Sequence, residues 1–398
     1  MQGVAHEPEE SVLAQAAGEY DYIVVGGGSA GCVLASRLSE NPRRQVLLLE
    51  AGPEDTFFWI HVPLGYANVF VDRRINWMFE SEPEPELSER KMYQPRGKVL
   101  GGTSSINGMI YIRGNRQDYD GWRDLGCSGW GWEDVEPFFK KAEGPGGLKI
   151  TKNPVRHELA EAALNAALAA GLPANEGFNG LSQDGAGHYE YNIFNGRRWS
   201  AARAYLRRAR TRPNLSVVTG AQVTTVNIVE GRATGVDYEK DGALFRATAH
   251  RETILCAGVF GSPQILERSG IGNKSLLGSL GIPLRHHLPC VGENLQDHIF
   301  TQLMFRCTKP ITINDFANSW RQKVWEGLRY LVSHTGTLAS NHLYVGGFTR
   351  SRAGLEKPDR RRKVNGHRSK MLRAAFVYAA CRCAISFHIC MASVLSSR

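Results

Sequence analysis

Tyr20-Asp21-Tyr22-Ile23-Val24-Val25-Gly26-Gly27-Gly28-Ser29-Ala30-Gly31 opens a stretch that runs to Glu50 and decides the fold. The apolar run Tyr22 to Val25 reads as a buried parallel strand, a strand with both faces covered. Gly26-x-Gly28-x-x-Gly31 follows at once. The first glycine permits a tight turn, the second lets a pyrophosphate reach bare backbone, and the third lets helix and strand pack closely. Ser29 to Ser39, carrying Cys32, Val33, Leu34 and Leu38, predicts a helix whose N-terminus offers free N–H groups to phosphates. Val46 to Leu49 is a second apolar run and ends in Glu50, a carboxylate placed to accept from ribose hydroxyls. Strand, turn, helix and strand within about 30 residues make a βαβ unit. The pattern points to a dinucleotide and does not by itself separate FAD from NAD.

Outward from this unit, 398 residues allow about two domains, or one large α/β domain with an insertion. Residues 52–95, rich in Pro, Glu and aromatic side chains, read as irregular excursions. His157 to Ala170 predicts a helix stopped by Gly171. Leu215 to Thr219, Val223 to Val229, Thr234 to Tyr238 and Thr253 to Cys256 predict strands, with a turn at Glu230-Gly231. Ser262 to Ser269 predicts a helix closed by Gly270.

A formal charge of +9 suggests nucleic acid or membrane until its placement is read. Nine of the 48 basic residues fall in 360–398, which holds no acid; the rest of the chain balances 39 bases against 39 acids. The body is therefore neutral, and no nucleic-acid partner is expected. The eight cysteines are scattered without a disulfide framework, which reads as reduced thiols in a cytoplasmic protein. Met1 to Glu19 has acidic residues and no long apolar run, so it does not read as a secretory signal.

A second motif is Arg96-Gly97-Lys98-Val99-Leu100-Gly101-Gly102-Thr103-Ser104-Ser105-Ile106-Asn107-Gly108. Paired glycines between small hydroxylated residues can lay a backbone flat against a planar ligand or an anion. It continues as Met109-Ile110-Tyr111-Ile112-Arg113-Gly114-Asn115-Arg116-Gln117-Asp118-Tyr119-Asp120-Gly121-Trp122. Further on come Leu255-Cys256-Ala257-Gly258 with Gly261-Ser262-Pro263-Gln264-Ile265-Leu266, and then Val291-Gly292-Glu293-Asn294-Leu295-Gln296-Asp297-His298. Together and in this order, the motifs closely resemble those of the glucose–methanol–choline oxidoreductases, especially the choline-dehydrogenase-like alcohol dehydrogenases. The likeness covers roughly Tyr20 to Phe348.

That resemblance implies an α/β (α+β) fold: a Rossmann-like FAD-binding domain interleaved with a smaller substrate-binding domain. It implies a first FAD-binding part at 20–150, a substrate segment at 151–212, a second FAD-binding part at 213–300 and a substrate segment at 301–359. Carried over by motif, Gly26, Gly28, Ser29 and Gly31 cradle the pyrophosphate, and Glu50 with Ala51 holds the adenosine ribose. Val99, Gly101, Gly102 and the run Asn107, Gly108, Met109 and Ile110 lie along the flavin. Val223 meets the adenine through its backbone, and Ala257 with Gly258 completes the set. Some family members attach FAD through a histidine that falls at Ile106 here, so non-covalent FAD is expected. The implied reaction oxidises a primary or choline-like alcohol to an aldehyde, with hydride passing to the flavin. Electrons then go to an acceptor such as quinone or a dye. Peripheral association with the inner membrane is compatible with that acceptor.

The likeness ends after Asp359. From Arg360 the composition changes at one residue to many Arg, no acid and three of the eight Cys, as a shifted reading frame in a GC-rich gene would produce. The family's His-Pro-x-Gly-Thr motif and late histidine find no match, so no catalytic residue is assigned. A catalytically inactive FAD-binding remnant therefore stands as the alternative, with the C-terminal part of the fold missing and 360–398 an aberrant basic tail. Met371 to Leu395 is apolar but interrupted by Arg373, Arg382 and His388. The spacing of Cys381, Cys383, His388 and Cys390 does not fit a zinc site, and no metal is expected. His286 and His287 read as loop residues, Asp297 and His298 as structural, and Trp122, Trp130 and Trp132 as packing.

Overall fold

Six strands form the central sheet of the computed structural model, which describes residues 14–152, 157–298, 307–355 and 357–364. In chain order they are β1 (Gln15–Val25), β2 (Val46–Glu50), β3 (Leu215–Thr219), β4 (Gln222–Val229), β5 (Arg232–Lys240) and β6 (Ala243–Leu255). Across the sheet they lie in the order β3-β2-β1-β6-β5-β4. β3, β2, β1 and β6 run parallel, while β5 and β4 continue the sheet antiparallel.

The apolar runs of β1 and β2 are unbroken because both faces are covered. Tyr22, Val24, Val46 and Leu48 pack with Cys32 and Ala35 of helix α1 (Ser29–Leu38) and with Leu206 and Ala209. The alternate residues Ile23, Val25, Leu47 and Leu49 pack with Val236, Ala247 and Ile265, the last from helix α2 (Gly258–Arg268). Each such aliphatic side chain contributes roughly 1.5–3 kcal/mol on burial. A charge at Leu48, which is fully buried, would break this layer.

Most expected elements stand within a residue or two of their sequence reading, including the helix Glu158–Ala169. The strand expected at Thr253 to Cys256 is the end of a much longer one. β6 spans 13 residues, and its middle is polar because the antiparallel part of the sheet meets solvent on one face. There Arg246 pairs with Asp237 of β5, and Arg251 with Asp21 of β1.

The chain between β2 and β3 and the chain after α2 build smaller layers. Gly185–His188, Val345–Thr349 and Arg360–Val364 form a three-stranded antiparallel sheet. Trp122 and Trp132 pack with Tyr119 and Phe139, as the packing reading expected. The helix Trp320–Ser333 buries Tyr330 but leaves Trp320, Val324, Trp325, Leu328, Leu331 and Val332 exposed. Among the described residues, no helix is long and apolar enough to cross a membrane, and the five cysteines are free thiols. The readings placed on Met371 to Leu395, on Cys381, Cys383, His388 and Cys390, and on residues 1–13 lie outside the described residues.

Candidate functional site

Val25, Leu49 and Leu255 stand level at the carboxyl edge of the parallel strands. From here β1 leads into α1 on one face and β6 into α2 on the other, the switch point at which open α/β sheets bind ligands. The ends of β1, β2 and β6 are stitched together. Gly26 N–H donates to the Leu49 carbonyl at 2.8 Å, and Cys256 N–H donates to the Val25 carbonyl at 2.7 Å.

The glycines of the first motif do different work. Gly26 sits at φ +100°, and a Cβ there would lie 2.6 Å from the Cys256 carbonyl oxygen. A Cβ on Gly31 would lie 1.9 Å from the Gly26 carbonyl oxygen, so α1 could not approach β1. Gly28 is different: its Cβ would find its nearest neighbours, Cys256 O and Gly102 Cα, only at 3.9 Å. Gly258, at φ +80°, has nothing within 4 Å. Gly28 and Gly258 thus present bare backbone to open space. No side chain caps the N-terminus of α1, and Ser29 in its first turn is exposed. Uncapped N–H groups beside bare backbone fit a pyrophosphate.

Glu50 closes the end of β2. It is buried, with Oε2 accepting from Gly27 N–H at 2.7 Å and Oε1 from Gly52 N–H at 2.8 Å. Burial pushes its carboxyl up to about 7, against the pull of those two donors and of Lys98. Each oxygen keeps a second lone pair, the acceptor capacity that a hydroxyl would need. Beside it, Cys32 donates its S–H to the Gly27 carbonyl at 3.1 Å, and burial raises the thiol well above its ordinary range. Gly220 N–H donates to Gly52 O and Ala221 N–H to Glu50 O, both at 2.9 Å. That brings the start of β4, with Val223, against the same corner as Ala51.

The second motif backs directly onto the first. Gly101 N–H donates to the Gly27 carbonyl at 2.7 Å, and a Cβ on Gly102 would lie 2.7 Å from Gly28 Cα. Val99 and Ile106 are fully buried and pack with Ile60, Val69, Phe70 and Ile75. Past Ile106 the chain is held by amides on every side. Asn107 Oδ1 accepts from Met109 N–H at 3.1 Å, Asn341 Nδ2 donates to the Gly108 carbonyl at 2.5 Å, and Asn192 N–H donates to the Met109 carbonyl at 2.9 Å. Met109 is buried at φ +59°, and Ile110 pairs with Tyr191.

The structure thus brings Gly26, Gly28, Ser29, Gly31, Glu50, Ala51, Gly101, Gly102, Ala257 and Gly258 together around the N-terminus of α1, with Asn107 to Ile110 following the second motif away from it and Val223 near Ala51. His286 and His287 are exposed on a two-residue strand beside Ile271–Gly272. Asp297 and His298 are also exposed, and Gln94 Nε2 donates to Asp297 Oδ2 at 3.4 Å. Sequence reading missed Asn341 and Arg198, which approach the second motif from distant segments. Nothing in the local sequence distinguishes Arg198 from Arg197. Among the described residues, no group of three or more His, Cys, Asp or Glu is placed to hold a metal ion.

Comparison with known proteins agrees with this geometry. The mitochondrial choline dehydrogenase of Mus musculus is 44% identical over 359 residues, covering 86% of this chain and 60% of that protein. An oxygen-dependent choline dehydrogenase of Paraburkholderia phytofirmans is 45% identical over 353 residues, covering 85% of this chain and 63% of its own length. The chain spans about 60% of the length of the curated relatives it matches. Among solved structures, an FAD-dependent oxidoreductase from Chaetomium thermophilum superposes with a TM-score of 0.73 at 30% identity, over 83% of this chain and 61% of that one. The model of the GMC oxidoreductase family matches residues 20–300, which run from the second half of β1 past β6 and include all the loops that meet at the α1 N-terminus. The chain belongs to the GMC oxidoreductase family.

Proposed function

We propose that this chain holds FAD non-covalently and forms the cofactor-bearing part of an oxidoreductase that acts on the CH–OH group of alcohols. The observation that carries the reading is the arrangement at the α1 N-terminus, where bare backbone, uncapped N–H groups and the Glu50 carboxyl converge. Gly26, Gly28, Ser29 and Gly31 receive the pyrophosphate. Glu50, beside Ala51, accepts from the ribose, and the Val223 backbone borders the adenine. Gly101, Gly102 and Asn107 to Ile110 run along the flavin, with buried Val99 behind them and Ala257 and Gly258 facing them. FAD held here would supply the acceptor for the hydride of the alcohol carbon, the hydroxyl proton going to a base or to solvent, and a route for the electrons to an acceptor such as quinone or a dye. Two things support the choice of FAD and alcohols: the Chaetomium neighbour is FAD-dependent, and the close relatives are choline dehydrogenases. The division into FAD-binding parts at 20–150 and 213–300 with substrate segments at 151–212 and 301–359 belongs to the same proposal.

Ile106 supports non-covalent attachment, because an alkyl side chain cannot bond the flavin and this one is buried among aliphatic neighbours. The test is to add FAD to the purified chain, remove the excess, precipitate with acid, and read flavin in supernatant and pellet. Flavin released to the supernatant is the expected result. No bound flavin at all overturns the FAD reading, and flavin retained in the pellet overturns the non-covalent one. Reduction of a dye by a primary alcohol then separates a working dehydrogenase from a chain that binds FAD without turnover.

A further inference from the structure

We propose that Arg198 is a positioning residue for the flavin-facing loop Ser104 to Ile110, a role that rests on the reading of Asn107 to Ile110 given above. Arg198 is only 1% exposed, although arginine stays charged in proteins. Its Nε donates to the Ile60 carbonyl at 2.7 Å, and its Nη1 donates to the Ser104 carbonyl at 3.2 Å and to Asn107 Oδ1 at 2.9 Å. One guanidinium therefore ties the helical turn at Ile60 to both ends of the Ser104–Asn107 segment.

The link continues to the backbone that faces the cofactor. Asn107 Oδ1, the oxygen held by Arg198, also accepts from Met109 N–H at 3.1 Å. Met109 is a non-glycine residue at φ +59°, and such a conformation persists only where the surroundings over-determine it. Arg198, through Asn107, is part of that over-determination. Burying a cation is costly, and a planar fork of fixed donors is what a lysine could not supply in its place.

The fork is itself held rigidly. Ile193–Phe194 pairs with Arg197–Arg198 across a two-residue turn in which Asn195 and Gly196 take φ +49° and +64°. Both values are positive, as the tight hairpin turn favoured by Asn-Gly requires. The tip is clamped in turn: Tyr330 O–H donates to the Gly196 carbonyl at 3.1 Å, and a Cβ on Gly196 would lie 1.7 Å from the His334 carbonyl oxygen. The position of the guanidinium is thus fixed from behind.

The test compares the full chain with R198K and R198A, measuring amide hydrogen exchange without flavin and FAD affinity separately. Both variants are expected to speed exchange at 104–110 by about tenfold or more and to weaken FAD binding by a similar factor, while β4 and β5 exchange as before. Lysine is expected not to rescue, because it keeps the charge but not the fork. Unchanged loop exchange, full rescue by lysine, or equal acceleration across the whole chain would each overturn the proposal. If R198A does not fold, R198K carries the comparison. If the unaltered chain binds no FAD but the loop responds as expected, the FAD reading fails and the role of Arg198 in the loop stands.

Discussion

Replacing Glu50 by glutamine tests the site and its electrostatics together. The carboxylate satisfies two buried backbone donors, Gly27 N–H and Gly52 N–H, at 2.7 and 2.8 Å. Glutamine keeps the size but offers one carbonyl, so its NH₂ must face one of those N–H groups. A buried donor left without its acceptor costs about 1–3 kcal/mol. The charge works in the opposite direction. Burial lifts the Glu50 carboxyl to about 7, whereas an unfolded chain deprotonates it in the ordinary carboxyl range. Between those values the unfolded state binds fewer protons, so stability is fully present below the ordinary range and is lost as pH rises toward about 7. A rise of this size corresponds to about 3 kcal/mol. E50Q cannot titrate, so it should be less stable than the unaltered chain at about pH 5, and the gap should narrow or close by about pH 8. Urea unfolding of both proteins without flavin, at the two pH values, reads this directly. A gap that widens with pH would refute the reasoning, because it would mean that the two N–H donors and Lys98 outweigh burial. FAD binding should weaken by about tenfold or more in E50Q, since the acceptor of the ribose hydroxyls is lost.

Gly31→Ala places a Cβ 1.9 Å from a carbonyl oxygen and should cost about 3 kcal/mol or more, whereas Gly258→Ala meets nothing and should cost only the left-handed backbone penalty of about 1–2 kcal/mol. Thermal unfolding of the pair decides it, and a larger loss at Gly258 would count against the packing account. Cys32 is buried and its thiol is held protonated, so iodoacetamide should label exposed Cys290 in the native protein and leave Cys32 untouched until urea is added. Mass spectrometry of the labelled peptides checks this. Trp325→Ser, at a side chain 66% exposed, should change stability by less than about 0.5 kcal/mol by urea unfolding. A larger loss would mean that the helix Trp320–Ser333 packs more tightly than its exposure suggests.

What could be read from the sequence was what the chain encodes locally. The strand, glycine turn, helix and Glu50 lie within one short stretch, and each has a reason that acts over a few residues. The long reach of β6 escaped because residues such as Thr248, His250 and Glu252 face solvent or a neighbouring edge and interrupt the apolar run that marks a strand. The partners of the second motif escaped for a different reason. Arg198 meets Asn107 across 91 residues of sequence, and Asn341 meets Gly108 across 233. Neither contact leaves a pattern within its own segment. Asp297 and His298, expected in a structural role near the flavin, lie exposed. Val99, expected along the flavin, is buried backbone and side chain alike, its carbonyl accepting from Gly102 N–H and its side chain filling the layer with Ile60, Val69 and Ile75.

The same residue type also serves two purposes that a motif cannot separate. Gly26, Gly31 and Gly102 are required because other backbone stands where a side chain would be, so altering them disturbs the fold before it disturbs binding. Gly28 and Gly258 have room for a side chain, so packing does not explain their being glycine, and the proposed binding of FAD does. A surface made of bare backbone and helix N–H groups recognises a pyrophosphate, which FAD and NAD share. That is the physical reason the first motif alone left the two cofactors undivided. What separates them must come from what is packed against those glycines. Here that is the loop from Arg96 to Ile110, with Gly101 bonded to Gly27 and Gly102 against Gly28. On the proposed reading, the second motif and the distant residues that hold its shape help select FAD, and Arg198 and Asn341 are the residues to alter first.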